Sequence, residues 1–358
     1  MNPLFSIIIP IYNPPYDNMQ NCFDSIKKQS YTDYEVILVD DGSNNKCAEY
    51  LDDMVAHDER FRIIHKKNEG AAIARNVGIV KAEGNYIMFV DADDAITPFC
   101  LQQAAEVITK IDADLVIGLT KRCIADNKIL DSMNLCSLEI DMFDYSDKLE
   151  ILVNHMLGYT SPDLCFKKGY IGDGPCARVC RAELVKQAMF TEERIPNQDT
   201  IWNLVFLRKV KKAIIVNDLW YLYLYNSKSM TNKYRKNKVQ EFKYRTNQEL
   251  KLGAAYWPGC QQGIYVKIFR DTYSLCANYL FHERNRDSFY CRYKCYQDVI
   301  HTKAYRKMLK NINFASEDRI RYRLIKECIR FFSLHEPNII AFWLWKIYCG
   351  KREWKLNT

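Results

Sequence analysis

Two aspartates that follow a short hydrophobic segment carry the clearest chemical signal in this sequence. Asp91 and Asp93 come directly after Tyr86-Ile-Met-Phe-Val90, an apolar run of strand length. Open α/β sheets bind ligands outside the carboxyl ends of their strands. Carboxylate oxygens suit Mg²⁺ or Mn²⁺, ions that commonly bridge a few carboxylates to substrate phosphates. The Asp-x-Asp pair therefore indicates a metal-nucleotide site, although a helix N-cap after the strand would explain it as well.

The segments around this pair alternate between strand and helix patterns. Near-continuous apolar runs predict buried strands, and apolar residues at three- and four-residue steps predict helices. The strands are a run from Phe5 that stops at Asn13-Pro-Pro15, then 34–39, 61–65, 86–90 and 114–120; the helices are 17–28, 45–56, 71–81 and 98–110. This alternation predicts an α/β fold with a mostly parallel, Rossmann-like sheet, right-handed crossovers and flanking helices.

Four motifs in register resemble the family 2 glycosyltransferases. They are Ile-Pro-Ile-Tyr-Asn13, Val-Asp40-Asp41-Gly-Ser43, Asn68-Glu-Gly70 with Ala-Arg75-Asn76-Val-Gly78, and Asp91-Ala-Asp93-Asp94. Their order and spacing are similar to the nucleotide-binding half of that family's GT-A fold over about residues 4–120. The resemblance implies a nucleotide-sugar donor, usually UDP-linked, a divalent Mn²⁺ or Mg²⁺ ion, and inversion at the anomeric carbon.

The resemblance also implies which residues meet the nucleobase. Pro10 and Tyr12 would line the nucleobase pocket. Asp41 would accept the hydrogen of the uracil imide, with Asp40 beside it. Arg75 would neighbour the base or the diphosphate, and the alternative is an ordinary surface or ion-paired arginine.

The same resemblance assigns the Asp-x-Asp motif to the donor's ribose and metal. Asp91 would face the ribose, Asp93 would be the main metal ligand with Asp91 as the second, and Ala92 would lie between them in the donor site. The chemistry of the residues agrees, because a bridging cation neutralises the charge that develops on a diphosphate leaving group.

An inverting transfer needs a base that takes the proton of the acceptor hydroxyl, and a carboxylate suits that task. In the family the base belongs to a Glu-Asp pair at the start of a helix, which Gln198-Asp199 resembles with its first acid replaced. A neutral amide cannot raise its neighbour's pKa by charge repulsion, so the role of the first position is in doubt. Asp199 is the candidate base, and a helix N-cap is the alternative.

Two further segments resemble parts of the family around that base. Residues 172–181 resemble the stretch that precedes the base, and residues 221–229 resemble the family's closing strand and loop. Asn226 stands where arginine is usual, so Lys228 would supply the missing charge or would simply be solvated. Residues 121–172 match nothing familiar and are expected to form the acceptor side.

Charge divides the 358 residues unevenly and predicts two domains. Residues 1–232 carry 25 Lys and Arg against 33 Asp and Glu, whereas residues 233–358 carry 26 against 11. We expect a GT-A catalytic domain at 1–232, with nucleotide-sugar binding at 1–120 and the acceptor side at 121–232. Residues 233–358 would form a basic helical C-terminal domain.

The basic C-terminal region contains an amphipathic segment at residues 319–332. Ile320, Leu324, Cys328 and Phe331 make one apolar face, and basic residues populate much of the rest. Such helices suit the surface of an anionic membrane. A helical bundle on the catalytic domain with a solvated basic face explains the pattern equally well. Nucleic-acid binding is disfavoured because no recognition motif accompanies the charge.

Several other classes lack their sequence signatures. No Gly-x-Gly-x-x-Gly follows the first strand and no Gly-Lys-Ser/Thr follows any strand, which argues against dinucleotide oxidoreductases and P-loop enzymes. The fourteen cysteines are scattered without a Cys-x-x-Cys, as expected for reduced thiols in the cytoplasm rather than a zinc site. The first strand begins too early for a signal peptide, and no apolar run reaches the roughly 20 residues of a spanning helix. We expect a cytoplasmic protein, with peripheral contact at the inner face of the membrane as an open alternative.

The resemblance therefore implies a metal-dependent inverting glycosyltransferase. It would move a sugar from a UDP-sugar to a hydroxyl of a glycan or lipid-linked saccharide, in the synthesis of a bacterial surface polysaccharide. The alternative is a noncatalytic relative that binds a nucleotide sugar or a glycan.

Overall fold

The computed structural model describes residues 2–124, 140–159, 164, 166–193, 198–225, 234, 238–314 and 320–353. The chain divides into two compact units. The first comprises Met1–Leu152 and Pro162–Asn226, and the second comprises Val153–Ser161 and Ser227–Thr358.

The first unit begins with the predicted alternation of strands and helices. Its elements up to residue 124 are β1 (Phe5–Ile11), α1 (Tyr16–Lys27), β2 (Tyr34–Asp40), α2 (Asn45–Ala56), β3 (Phe61–His65), α3 (Ala71–Lys81), β4 (Tyr86–Phe89), β5 (Ala95–Ile96), α4 (Cys100–Ile111) and β6 (Leu115–Ile124). The elements that follow are β7 (Met142–Asp144), α5 (Leu149–Met156), β8 (Arg178–Arg181), α6 (Ala182–Lys186), α7 (Gln198–Phe206) and β9 (Ala213–Tyr225).

The strands form one mixed sheet in the order β3-β2-β1-β4-β8-β6-β9-β5, with β7 paired to β9. β1 runs parallel to β2 and β4, and β2 runs parallel to β3. β8 lies antiparallel between β4 and β6, so β6 does not pair with the strand that precedes it. The sequence pattern predicted β1 to β4 and β6 but not β8, because Arg178-Val-Cys-Arg181 is not a near-continuous apolar run.

The carboxyl ends of three neighbouring parallel strands meet at one edge of this sheet. Tyr12, Asp41 and Asp91 each follow such an end, after β1, β2 and Val90 respectively. The strands themselves are buried on both faces, and Ile7 and Ile8 of β1 are both 0% exposed. This is the burial expected where helices cover both sides of a sheet.

The second unit is helical, as predicted for the C-terminal region. Its helices after residue 237 are α8 (Lys238–Tyr256), α9 (Gln261–Leu275) with a π-helical turn at Cys276–Leu280, α10 (Phe289–Ile300), α11 (Lys303–Asn311), α12 (Ile320–Leu334) and α13 (Ile339–Glu353). The Phe342 ring of α13 contacts the rings of Phe281, Tyr293 and Tyr296 in the core of this unit. In the part of the chain that is described, no helix is long and apolar enough to cross a membrane.

Four charged side chains are buried between α8 and α9. Arg245 Nη2 lies 2.9 Å from Asp271 Oδ2 and Arg245 Nε lies 3.4 Å from Glu249 Oε1, while Lys267 also pairs with Asp271. Burial raises the pKa of Glu249, whose side chain is 1% exposed. Removing one partner of a buried ion pair leaves an uncompensated charge. The two helices must therefore pack so that these charged side chains stay paired.

The apolar face predicted within residues 319–332 lies on the outside of α12. Leu324 is 60% exposed and Phe331 is 54% exposed, and Cys328 between them is also exposed. The opposite face is buried through Ile329. Ile320, the fourth predicted member of the apolar face, has its side chain outside the described part of the chain.

Candidate active site

The loops that follow β1 and β2 are joined by hydrogen bonds. The Asn13 N–H donates to Ser43 Oγ at 3.1 Å, and Asn13 Oδ1 accepts from the Asn44 N–H at 3.0 Å. Beside this junction Pro10 is partly buried, whereas the Tyr12 side chain is 52% exposed. The edge therefore presents an aromatic ring whose face can stack on a planar base.

Asp40 at the end of β2 is committed to interactions within the protein. Its Oδ1 accepts from the Ser43 N–H at 2.9 Å, and its Oδ2 lies 2.7 Å from His65 Nδ1. The other ring nitrogen of His65 lies 3.0 Å from Asp52 Oδ1. Hydrogen bonding to Asp40, and then to Asp52, raises the pKa of His65. Asp40 therefore fixes the end of β3 against β2.

Asp41 is buried and organises the loop that leads into α3. Its Oδ1 accepts from Lys66 Nζ at 2.8 Å and from the Glu69 N–H at 2.9 Å, and its Oδ2 accepts from the Gly70 N–H at 2.7 Å. Gly70 has φ +99°, a conformation that favours glycine. A carboxylate oxygen has two lone pairs, so these hydrogen bonds still allow Asp41 to accept the hydrogen of a nucleobase imide. That contact stays a prediction.

Arg75 of α3 is a buried guanidinium that joins two carboxylates. Its Nη2 lies 2.8 Å from Asp91 Oδ1 and its Nη1 lies 3.4 Å from Asp199 Oδ1. The guanidinium also lies over the Phe190 ring, 5.4 Å from the ring centroid. Burial lowers the pKa of Arg75, but Asp91 and Asp199 raise it by more, so the cation is maintained. The structure thus brings Asp91, the candidate acid on the donor side, and Asp199, the candidate base, into contact with the same arginine.

The Asp-x-Asp segment is anchored from two directions. Asp91 and Asp93 are partly exposed, whereas Ala92 is 5% exposed and belongs to the hydrophobic core. From α1, Asn18 Nδ2 donates to the backbone carbonyl of Asp93 at 3.3 Å. From β9, the Tyr221 hydroxyl accepts from the Asp91 N–H at 3.1 Å. These contacts fix the backbone while both carboxylates stay at the surface of the site.

Asp94 lies buried behind the two exposed acids. Its Oδ2 accepts from the Tyr221 hydroxyl at 2.7 Å and its Oδ1 accepts from the Leu224 N–H at 2.9 Å. Burial, followed by the charges of Asp91 and Asp93, raises the pKa of Asp94 to about 8. A cation held by the two exposed acids would offset part of that repulsion and lower this pKa.

Asp199 lies in the first turn of α7, one residue after the helix begins at Gln198. Its side chain is 36% exposed, and a Cβ on Gly174 would lie 4.0 Å from its Oδ2. Burial raises the pKa of Asp199, while Arg75 acts to lower it. The carboxylate is therefore accessible, close to a loop without a side chain, and less acidic than an ordinary aspartate.

A stack of aromatic rings holds the helix that carries Asp199. The Trp202 ring lies parallel to Phe190 at 4.9 Å and to Phe206 at 4.7 Å between centroids, and Phe89 meets it edge-on at 5.9 Å. Asn76 exchanges two 2.9 Å hydrogen bonds with the backbone of Phe190. Since Asn76 neighbours Arg75 on α3, the stack couples the position of Arg75 to that of α7.

Arg178 ties the loop at 172–174 to the same helix. Its Nη1 donates to Asn203 Oδ1 at 2.6 Å and its Nη2 donates to the Gly172 carbonyl at 2.7 Å. Asn203 Nδ2 in turn donates to the Asp173 carbonyl at 2.8 Å. The structure thus brings the predicted segment 172–181 next to Asp199, whereas Asn226 and Lys228 lie outside the described residues.

The donor atoms at this edge fit a hard divalent cation that shares its coordination with a ligand. Among the described residues, no three His, Cys, Asp or Glu side chains converge as a complete metal site. Asp91 and Asp93 offer carboxylate oxygens that are partly exposed. Mg²⁺ is commonly bound by one or two carboxylates and completes its coordination with waters and substrate phosphates. The two aspartates are therefore suitable ligands for such an ion.

Sequence matches identify the class of protein to which this fold and site belong. Residues 6–181 match the sequence model described as "Glycosyl transferase family 2". Glycosyltransferase GlyG of Streptococcus pneumoniae is 40% identical over 119 residues, which cover 33% of this chain and 39% of GlyG. The uncharacterized glycosyltransferase EpsJ of Bacillus subtilis is 41% identical over 117 residues, or 32% of this chain and 33% of EpsJ. Residues 6–181 therefore form a glycosyl transferase family 2 domain, and the matched residues span well under two thirds of these relatives.

Solved structures extend the likeness beyond the matched segment. The crystal structure of S. aureus TarS 1-349 gives a TM-score of 0.59 at 17% identity and covers 92% of this chain and 90% of that chain. The same TarS segment in complex with UDP-GlcNAc gives a TM-score of 0.60 at 16% identity. The predicted GT-A fold followed by a helical C-terminal region is confirmed.

Sequence reasoning missed several residues that shape this site. Lys66, which pairs with Asp41, directly follows β3 at the same sheet edge, so the rule applied to the aspartates would have found it. Tyr221 lies in the segment that resembles a closing strand, and that resemblance gives no sign that its hydroxyl contacts both Asp91 and Asp94. Phe190 and Trp202 carry no local signal, because their stacking depends on tertiary contacts.

The raised pKa of His65 predicts how pH affects the stability of this edge. A group whose pKa is higher in the folded state adds stability below its unfolded pKa of about 6.5, and loses it as pH rises through the folded pKa. His65→Gln should therefore reduce the free energy of unfolding more at about pH 6 than at about pH 9. Because the ring is 41% exposed, we expect a difference below about 1 kcal/mol.

Urea denaturation of the wild type and the variant at both pH values measures this difference. His57→Gln is the matched control, because the His57 ring is 71% exposed and lies 4.0 Å from Asp53. A loss of stability for His65→Gln that is equal at both pH values, or larger at about pH 9, would contradict the prediction.

Proposed function

We propose that this chain transfers a sugar from a UDP-sugar to a hydroxyl group of a glycan or lipid-linked saccharide. The match of residues 6–181 to glycosyl transferase family 2 supports glycosyl transfer, and the UDP and UDP-GlcNAc complexes of TarS support a uridine nucleotide donor. The observation that carries the proposal is the joining of Asp91 and Asp199 by Arg75. The named relatives are bacterial glycosyltransferases, and we extend the proposal to the synthesis of a bacterial surface polysaccharide.

The donor would bind along the edge where β1, β2 and β4 end. In this proposal Tyr12 stacks on the nucleobase beside Pro10, and Asp41 accepts the imide hydrogen. Asp93 and Asp91 hold Mn²⁺ or Mg²⁺, and Arg75 lies beside the diphosphate. The cation would neutralise the charge that develops on the departing UDP. Tyr221 and Asn18 keep the Asp-x-Asp backbone in place for this contact.

Asp199 would act as the general base of an inverting displacement. The acceptor oxygen attacks the anomeric carbon opposite UDP, its proton passes to the Asp199 carboxylate, and the bond between the sugar and UDP breaks. A pKa raised toward the working pH improves a carboxylate as a base, and burial shifts Asp199 in this direction. Arg75 opposes that shift and so keeps the carboxylate ionised to accept the proton.

Gln198 favours one alternative function. It stands in place of the first acid of the family's Glu-Asp pair, and its Oε1 is a buried acceptor without a hydrogen-bond partner among the described residues. A relative that only binds a nucleotide sugar or a glycan would tolerate a neutral residue at this position. Retention of Asp199 beside Arg75 favours the transferase over this alternative.

We expect tight binding of UDP to require the divalent ion, because its diphosphate and the carboxylates of Asp91 and Asp93 otherwise repel each other. Isothermal titration calorimetry with UDP should give at least about tenfold weaker binding in EDTA than in Mn²⁺, a loss of about 1.4 kcal/mol. Asp93→Asn should cause a similar loss in Mn²⁺.

Asp53→Asn is the matched control for this titration, because it replaces an acid of α2 whose side chain is 75% exposed. Equal UDP affinity with EDTA and with Mn²⁺ would refute the assignment of Asp91 and Asp93 to a metal.

Asp199→Asn should abolish transfer while leaving UDP binding largely intact. The amide keeps the shape of the side chain and an oxygen for Arg75, but it cannot take a proton at neutral pH. General-base catalysis typically contributes about 10²- to 10⁴-fold, so we expect a loss of kcat in that range. Turnover of UDP-sugars, followed by release of UDP and compared with UDP affinity, tests this. Near-normal turnover would remove Asp199 from the mechanism.

A further inference from the structure

Helix α12 exposes an apolar stripe. Leu324, Cys328 and Phe331 recur at four- and three-residue steps and therefore lie on one face of the helix. Leu324 is 60% exposed and Phe331 is 54% exposed, whereas Ile329 and Ser333 on the other side are at most 2% exposed. The helix is thus packed through the side that carries Ile329 and Ser333, and the stripe of Leu324, Cys328 and Phe331 is in contact with solvent.

Helix α13, which packs against α12, exposes a second apolar stripe. Trp343 is 45% exposed and Ile347, one turn later, is 51% exposed. The Phe289 ring stacks on Trp343 at 5.3 Å between centroids, and Lys346 Nζ lies 4.9 Å from the centre of the Trp343 ring. An exposed tryptophan beside a lysine is an amphipathic pair that suits a boundary between water and hydrocarbon.

The charge around these stripes is positive. Helix α12 contains three arginines and one lysine but a single acid, Glu327, which pairs with Arg330 at 2.6 Å. Residues 233–358 carry 26 Lys and Arg against 11 Asp and Glu. A neutral apolar partner would not complement this net positive charge. A surface with anionic headgroups over hydrocarbon complements both the charge and the exposed apolar side chains.

We propose that the α12–α13 hairpin, residues 320–353, binds the surface of an anionic lipid bilayer. Each helix has 15 residues and is therefore about 22 Å long, shorter than the roughly 30 Å hydrocarbon core. The helices would lie in the plane of the headgroups, with Leu324, Phe331, Trp343 and Ile347 inserted and Arg323 and Lys346 among the lipid phosphates. The inference is independent of the proposed function, because lipid binding needs neither donor nor acceptor.

Cosedimentation of the full chain with vesicles tests the proposal. Vesicles that contain phosphatidylglycerol should bind the protein at low salt, and vesicles of phosphatidylcholine alone should bind it at least about tenfold less, since each basic residue near an anionic surface contributes about a fivefold factor. Binding should weaken at about 1 M salt, where the Debye length falls to about 3 Å. Absence of binding to the anionic vesicles at low salt would overturn the proposal.

Substitutions on the hairpin locate the surface. Leu324→Ser with Phe331→Ser should weaken vesicle binding by roughly twentyfold, because burial of each partly exposed side chain contributes about a fivefold factor. Trp343→Ser with Ile347→Ser should have a similar effect. Val80→Ser is the matched control, because Val80 is 69% exposed on α3. If both hairpin variants bind like the control variant, the lipid surface contacts another part of the chain and the proposal fails.

A second copy of the chain is the competing occupant of these stripes. Light scattering coupled to size-exclusion chromatography distinguishes the two, because self-association would appear without lipid and disappear in the hairpin variants. Such a result, with vesicle binding unchanged in the variants, would overturn the proposal. Unchanged thermal unfolding and UDP affinity in the variants exclude misfolding as the cause of lost vesicle binding.

Discussion

Repulsion between carboxylates at one sheet edge is the constraint on which this site depends. The topology gathers Asp91, Asp93 and Asp94 at the end of β4, and α7 adds Asp199. Burial, followed by the charges of Asp91 and Asp93, raises the pKa of Asp94 to about 8. Arg75, which is buried, offsets this repulsion by pairing with both Asp91 and Asp199. A bound cation would offset the part of the repulsion that involves Asp93.

The scaffold keeps that arginine and its partners in register. Asn76 and the stack of Phe190 on Trp202 connect α3 to α7, so the two ion pairs of Arg75 cannot separate without disturbing buried contacts. On the other side, the Tyr221 hydroxyl links β9 to the Asp-x-Asp backbone. Preorganised charges in a partly dry site interact more strongly than charges in water, which is why such sites are built on rigid elements.

Sequence reasoning was most successful where physical signals are local. Helices such as 45–56 and 71–81 were predicted to their observed ends, because apolar spacing marks helix faces. The acids at the sheet edge were predicted because they follow strand ends. It did not place β8 between β4 and β6, or Phe190 under Arg75, because those contacts join residues about 100 positions apart. The apolar face of α12 was identified, but only the structure places Leu324 in solvent, since periodicity cannot say what a face meets. The roles of the site residues stay predictions.

A double-mutant cycle on Arg75 and Asp199 tests the central claim most directly, because it measures their coupling without a donor or an acceptor. Free energies of unfolding are measured in urea for the wild type, Arg75→Met, Asp199→Asn and the double variant. The account predicts a favourable coupling of at least about 0.5 kcal/mol, and a parallel cycle of Arg75→Met with the exposed Asp53→Asn should be additive. Additivity within about 0.3 kcal/mol for Arg75 and Asp199 would show that the two residues do not interact in the folded protein, and would contradict the account.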